Sequence, residues 1–155
     1  MEIKKTTKKD IDVLMDMRLE MLRIVNGMEP DDCFDEVLVD SSREYFLNGN
    51  QTTVFAMEGE EIAGCASISY IDVMPTFDHP TGKRAHLMNV YVRKDFRRMG
   101  VGRKMVQFLI DEAKERGVTE ISLDSTEMGR PLYRQAGFSE NKESMNMILN
   151  GKKIK

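Results

Sequence analysis

The run Ala85-His86-Leu87-Met88-Asn89-Val90-Tyr91-Val92 is apolar and strand-like, and it leads through Arg93-Lys94-Asp95-Phe96 into Arg97-Arg98-Met99-Gly100-Val101-Gly102, where a helix starts. Glycine lets the main chain adopt conformations other residues avoid and approach a ligand closely. The first turn of a helix carries amides without intrahelical acceptors and a partial positive charge. Together these make an anion site that suits a diphosphate. Arg97, Arg98, Arg103 and Lys104 add positive charge beside it. The pattern is not a P-loop, because no Gly-Lys-Ser/Thr follows, nor a dinucleotide fingerprint, because the full Gly-x-Gly-x-x-Gly is missing. Taken alone, it is weak evidence, and the alternative is a glycine-tolerant strand-to-helix turn.

Downstream, Val101, Met105, Phe108, Leu109 and Ala113 form the buried face of a helix that runs from Gly100 to Arg116 and is closed by Gly117. Glu120 to Asp124 is a strand. Pro131 stands in the first turn of a short helix that ends at Gly137. Met145 to Leu149 reads as a closing strand. Upstream, Ile3 begins a strand and Thr7 with Asp10 has capping-box spacing. Ile11, Leu14, Met15, Leu22 and Val25 recur at helical spacing, and Asn26-Gly27 stops that helix. An acidic loop follows, then a second helix with Phe34, Val37, Leu38, Tyr45 and Phe46 as its stripe. Thr52 to Met57 and Ile62 to Ile71 form a hairpin across Glu58-Gly59-Glu60. Residues 72 to 84 form a loop. The order β-α-α-β-β-β-α-β-α-β predicts an α/β (α+β) chain, a mixed sheet with helices on both faces, read as a single domain over 1–155.

The chain has 155 residues, 41% hydrophobic and 32% charged, with a formal net charge of -3. That balance excludes a membrane bundle, a disordered polymer and a simple polycation binding nucleic acid. The N-terminal Met1-Glu2-Ile3-Lys4-Lys5 lacks a signal-peptide stretch, so the expected location is cytoplasmic. Cys33 and Cys65 form no CxxC pair, and with only His79 and His86 besides, neither a disulfide, a structural zinc nor a catalytic metal is expected. The thirteen methionines are read mainly as flexible core filler. Lys4, Lys5, Lys8 and Lys9 lack interleaved aromatics and read as surface charge, not as an RNA-binding patch.

About thirty residues past the glycine turn comes Leu132-Tyr133-x-x-x-Gly137-Phe138. Arg97-x-x-Gly100-x-Gly102 followed by this second motif resembles the GCN5-related N-acetyltransferases, the GNAT superfamily. The resemblance implies a mostly antiparallel sheet whose two central parallel strands, Ala85–Val92 and Glu120–Asp124, splay apart around acetyl-CoA. It implies that main-chain groups of Val90, Tyr91 and Val92 pair with the pantetheine arm. It assigns the diphosphate to Arg97, Arg98, Met99, Gly100, Val101, Gly102 and Arg103. The asparagine that often follows the second strand is replaced by Ser125 and Thr126, so that contact is lost or made by a hydroxyl, Thr126 being the candidate. Asn89 is expected to clamp a backbone bulge.

The implied reaction is direct attack of an amine on the thioester. A main-chain N–H on Val90 to Val92 would hold the oxyanion, a donor typically worth ~3 kcal/mol. Tyr133, also close to the cofactor, would serve the leaving thiolate, or else only pack its helix on the sheet. Free tyrosine near ~10 and a thiol near ~8.5 make full proton transfer uphill by roughly 2 kcal/mol, which favours a hydrogen bond. A lysine-like amine must be deprotonated, at about 4.6 kcal/mol at pH 7. His86 is the candidate base, since histone-type relatives carry a catalytic glutamate there and imidazoles suit base work at neutral pH. The alternatives are a solvent-facing histidine and deprotonation through water. Asp124 is a second candidate, or a cap of the following turn. A CoA-binding sensor with the same fold and no turnover is the competing function.

The acceptor is expected to be a small-molecule or peptide amine. Asp31, Asp32, Asp35 and Glu36 could draw a cation, or could be a solvated loop with helix-start carboxylates. Met28, Met74, Phe77 and His79 are candidate apolar contacts, and His86 is a further candidate for binding the substrate. The long connection from Asp72 to Arg84 is a candidate lid. An edge strand at Met145–Leu149 would suit a homodimer.

Overall fold

The computed structural model describes residues 1–150. The elements are β1 (Glu2–Lys5), α1 (Ile11–Val25), α2 (Glu36–Asn48), β2 (Gln51–Glu58), β3 (Glu61–Asp72), β4 (Lys83–Val92), α3 (Val101–Glu115), β5 (Glu120–Ser122) and α4 (Arg130–Ala136). Thr7 Oγ1 accepts from the Lys9 N–H at 3.3 Å and Asp10 Oδ2 accepts from the Thr7 N–H at 2.8 Å. This capping box starts a single 3-10 turn, Lys8–Asp10, which runs straight into α1. Asp35 caps α2 through a 2.8 Å bond from the Val37 N–H. The stripe expected on α2 is narrower than its sequence suggests. Phe34 lies before the helix, under the Arg23 guanidinium, and Val37 is 71% exposed.

The sheet runs β1-β2-β3-β4-β5, with antiparallel pairing throughout except between β4 and β5, which are parallel. That last pairing spans only Arg84↔Glu120, Ala85↔Ile121 and His86↔Ser122. β5 therefore ends at Ser122, short of the predicted Asp124, and β4 continues alone past His86. Alternation along the strands separates two cores. Val54, Ala56, Ile68, Ala85 and Leu87 pack with Val101, Met105 and Leu109 of α3. Phe55, Cys65 and Tyr91 pack with Leu14, Met15 and Met17 of α1 and Phe46 of α2.

The strand expected at Met145–Leu149 is not formed. Met145 is 94% exposed, and the segment joins no ladder. An alternating apolar pattern makes a strand only where an edge of adequate length receives it, and β5 offers three residues. The edge-strand argument for a homodimer has no strand to rest on. Among the described residues no helix is long and apolar enough to cross a membrane.

One buried charge fastens α3 to the sheet. Glu112 Oε1 accepts from Thr52 Oγ1 at 2.6 Å and Tyr70 Oη at 2.7 Å, and Oε2 meets Lys5 Nζ at 2.7 Å. Burial alone would push the Glu112 carboxyl up; bonds from Lys5, Thr52 and Tyr70 outweigh it and hold the group below its ordinary 4.5. A lowered folded value means stability that is present above the ordinary carboxylate range and lost as the pH falls through it. Glu112→Gln is expected to lower unfolding stability by about 2 kcal/mol at pH 7, since bonds to charged groups carry ~1.5–3 kcal/mol. Urea titrations at pH 7 and pH 3.5 check this: the gap between the proteins narrows at the lower pH. An equal gap at both would dismiss the ion cluster.

Candidate active site

The centre of the site is a break in the register of β4. Cys65 pairs Tyr91 and Ser67 pairs Met88, so Ala66 alone faces Asn89 and Val90. Such an extra residue kinks a strand and re-aims the side chains beyond it. Asn89 has φ +59, a left-handed conformation that asparagine tolerates better than most. Its Nδ2 donates to Ser67 Oγ at 3.3 Å, and its Oδ1 accepts from Arg18 Nη1 at 3.1 Å. Before the bulge, odd positions Ala85 and Leu87 face α3; after it, even positions Val90 and Val92 do. The side chain of Tyr91 is thereby delivered to the α1 side.

The bulge also decides which main-chain groups are free. The Arg93 N–H donates to the Ala63 carbonyl at 2.8 Å. In an antiparallel ladder bonded and non-bonded pairs alternate, so Tyr91 turns its N–H and C=O to Cys65 while Val92 turns its own away. The same alternation carried one step back turns Val90 toward the open side. Arg97 Nε fills the Val92 carbonyl at 3.1 Å. The expectation that Tyr91 offers main-chain groups to a pantetheine is corrected here. Its hydroxyl donates to Glu20 Oε2 at 2.6 Å, beside bonds from Arg93 Nε and Nη2 to the same carboxylate at 3.1 and 3.0 Å. Burial, then the Glu20 bond and charge, push the Tyr91 hydroxyl up to about 12. It fastens α1 to β4.

Past Val92 the chain makes one 3-10 turn, Lys94–Phe96, and enters a surface turn with φ +62 at Arg98 and φ +75 at Gly100. A Cβ on Gly100 would meet no protein atom within 4 Å. The helical ladder of α3 begins with the Lys104 N–H donating to the Gly100 carbonyl at 3.1 Å, so the amides of Val101, Gly102 and Arg103 precede it. Val101 contributes only that amide, because its side chain is buried in the core. A Cβ on Gly102 would lie 3.4 Å from Leu132 Cδ2 and 3.6 Å from Val92 Cγ2, which is where β4, α3 and α4 converge. Free amides, a helix start and an open approach can receive a diphosphate.

Tyr133 of α4 is half-buried and stands edge-on to Phe138, centroids 5.9 Å apart. Burial is the sole cause that raises its hydroxyl above the ordinary value, and the hydroxyl has no hydrogen-bond partner among the described residues. Thr126 Oγ1 accepts from the Gly129 N–H at 3.3 Å and Ser125 Oγ donates to the Thr126 carbonyl at 2.6 Å, so both hydroxyls shape the turn that starts α4. The two candidate bases come together. His86 Nδ1 lies 2.7 Å from Ser122 Oγ, and Nε2 lies 3.8 Å from Asp124 Oδ2. They sit where the β4–β5 pairing ends and the two strands part, His86 four residues from Val90, roughly 13 Å at ~3.3 Å per residue.

Asp32 of the acidic loop and the ends of the expected lid are tied into local contacts. Asp32 Oδ2 accepts from the Glu29 N–H at 2.8 Å and closes its own turn. Asp31 is exposed and Met28 half-exposed beside it. Phe77 is 100% exposed. The connection between β3 and β4 is held shut by the Val73 N–H to Gly82 carbonyl bond, and His79 ties it to β5 through Thr119 at 2.8 Å and Glu120 at 3.4 Å. What sequence reading missed is a cavity of about 190 Å³ between α1, α2 and the bulge, lined by Arg18, Ser41, Ser42, Tyr45, Phe46, Met88 and Asn89. The available signal was a cation inside an apolar stripe: Leu14, Arg18 and Leu22 share one face of α1. Among the described residues no group of histidine, cysteine and carboxylate side chains is arranged to hold a metal ion.

Residues 15–138 match the profile described as Acetyltransferase (GNAT) family. Over 126 residues the chain is 27% identical to the glucosamine 6-phosphate N-acetyltransferase of Arabidopsis thaliana, covering 81% of this chain and 82% of that one. Over 59 residues, 36% of this chain and 40% of the relative, it is 39% identical to the ribosomal protein bS18-alanine N-acetyltransferase of Escherichia coli. A predicted acetyltransferase from Clostridium acetobutylicum, solved with acetyl-CoA, superposes with a TM-score of 0.82 at 30% identity over 97% of each chain.

Proposed function

The chain belongs to the GNAT acetyltransferase family, and from that premise we propose that it moves the acetyl group of acetyl-CoA onto a primary amine of a small molecule or peptide by direct attack. Relatives that act on an amino sugar phosphate and on a protein alanine both fit an amino acceptor. One observation carries the cofactor: the left-handed turn at Arg98 and Gly100, open in front of Gly100, leads into the unpaired amides of α3. The solved relative with acetyl-CoA supports the same choice.

In this reading the amides from Arg98 to Arg103, with the Arg97 and Arg103 side chains, hold the diphosphate. Val90 and the N–H of Val92 give the pantetheine arm its main-chain partners, the Val92 carbonyl being held by Arg97, and the Val90 N–H faces the thioester oxygen. Thr126 borders the arm. Tyr133 donates a hydrogen bond to the departing thiolate. Its raised pKa makes full proton transfer more uphill than the ~2 kcal/mol of a free phenol, so the thiolate leaves bonded and takes its proton from water. His86 draws the amine proton through a water relay across the strand, and Asp124 steadies the cation that forms.

The test is release of free thiol from acetyl-CoA across a broad panel of amines; no release with any amine overturns acetyl transfer. His86→Gln is expected to move the pH profile of kcat/KM to higher pH, because the rate then follows the amine's own deprotonation. A profile that superimposes on the wild type removes His86 from the mechanism.

A further inference from the structure

The acetyl-transfer reading leaves one cation unexplained. Arg18 projects from α1 into the cavity beside the bulge, and among the described residues its single hydrogen bond runs from Nη1 to Asn89 Oδ1 at 3.1 Å. No carboxylate lies within ion-pair distance of it among the described residues. Of the carboxylates on its own helix and on α2, Glu20 pairs with Arg93 and Tyr91, Asp12 with Arg43 at 3.9 Å and Glu44 with Asn48 at 2.8 Å, while the exposed Asp16, Glu36 and Asp40 form no ion pair with it. Burial lowers the Arg18 pKa, with Cys65 and Tyr45 opposing only in part. A half-buried guanidinium facing neutral walls is costly to keep without an anion. Arginine's planar fork matches the paired oxygens of a carboxylate or phosphate, and the apolar flanks from Phe46 and Met88 strengthen such a bond by excluding water.

Resting on the acetyl-transfer reading, we propose that this cavity is the acceptor site and that the acceptor is a small amine carrying an anionic oxygen group, seated on Arg18. Three observations converge. The cavity contains Asn89, the residue next to Val90, so a molecule bound there lies beside the thioester end of the cofactor. Its volume of about 190 Å³ falls below the ~300–1,000 Å³ of pockets for drug-sized ligands, which fits an acceptor of amino-acid size. Ser41 adds a hydroxyl to the lining, whereas the Ser42 hydroxyl donates to the Leu38 carbonyl at 2.7 Å. The acidic loop at Asp31 and Asp32, the sequence's alternative attractor, contributes nothing to the cavity, and it would favour a cation instead.

The test compares matched pairs of amines: β-alanine with β-alaninamide for a carboxylate, and 2-aminoethyl phosphate with ethanolamine for a phosphate. In the wild type the anionic member of at least one pair is expected to show about tenfold higher kcat/KM, through KM, and the responding pair tells which anion is used. Arg18→Gln, which keeps a donor for Asn89, is expected to abolish that ratio. Arg18→Lys, which keeps the charge, is expected to retain part of it. The ratio is the readout because loss of support to Asn89 slows both members alike. Neutral amines turned over as well as their anionic partners, or a preference that survives in Arg18→Gln, would overturn the anionic acceptor and leave acetyl transfer standing. Absence of CoA binding together with no thiol release overturns both.

Discussion

Gly100→Val is expected to weaken CoA binding about 100-fold, the equivalent of two lost charge-assisted hydrogen bonds at ~1.5 kcal/mol each. Gly100 holds φ +75, and a Cβ there would point into open space. A β-branched side chain would fill the path by which a diphosphate reaches the amides of Val101 and Gly102. It would also strain the turn, since the left-handed region costs a Cβ-bearing residue about 1–2 kcal/mol. The control separates these effects. Gly59 has φ +60 and equally open surroundings but lies in the β2–β3 hairpin turn. Gly59→Val therefore carries similar backbone strain and is expected to lose stability alone, with CoA affinity retained. Calorimetric titration of CoA into both variants decides. Normal affinity in Gly100→Val would remove the diphosphate from this turn.

Tyr133→Phe is expected to lower kcat about 100-fold, the scale of one lost hydrogen-bond donor to a developing anion at ~2.7–4 kcal/mol, with CoA affinity unchanged. The substitution removes one oxygen and keeps the ring that packs edge-on to Phe138. Because that hydroxyl has no protein partner among the described residues, its loss leaves nothing unsatisfied, and thermal stability is expected to hold or rise. Stopped-flow thiol release at saturating acetyl-CoA and amine isolates the chemical step. A rate equal to the wild type would reduce Tyr133 to packing. A drop in CoA affinity with the same drop in rate would place it in binding alone.

Several features were legible because their signals are local. The α3 stripe from Val101 to Ala113, the hairpin across Gly59 and the stops at Gly27, Gly117 and Gly137 depend on neighbours a few residues away, and all formed as the patterns imply. The glycine turn before α3 is of the same kind. Met145–Leu149 shows the limit: its alternation was sound and its partner was missing. The α2 stripe failed at Phe34 and Val37 for a related reason, since Asp35 captured the helix start and left Phe34 outside.

By itself, then, the order of residues determined the element sequence as far as α4, the two-faced sheet and the anion-ready turn, because each follows from periodicity or from the freedom of a single backbone position. Tertiary structure decided the rest. It selected which strand groups stay free, through a bulge held by Ser67 and Arg18; it joined His86 to Asp124; and it placed Arg18 in a cavity with Tyr45 and Met88. Those outcomes depend on contacts between residues as much as 71 positions apart. No local pattern encodes such a contact, because its energy arises only when packing brings the partners within bonding distance and removes the water between them.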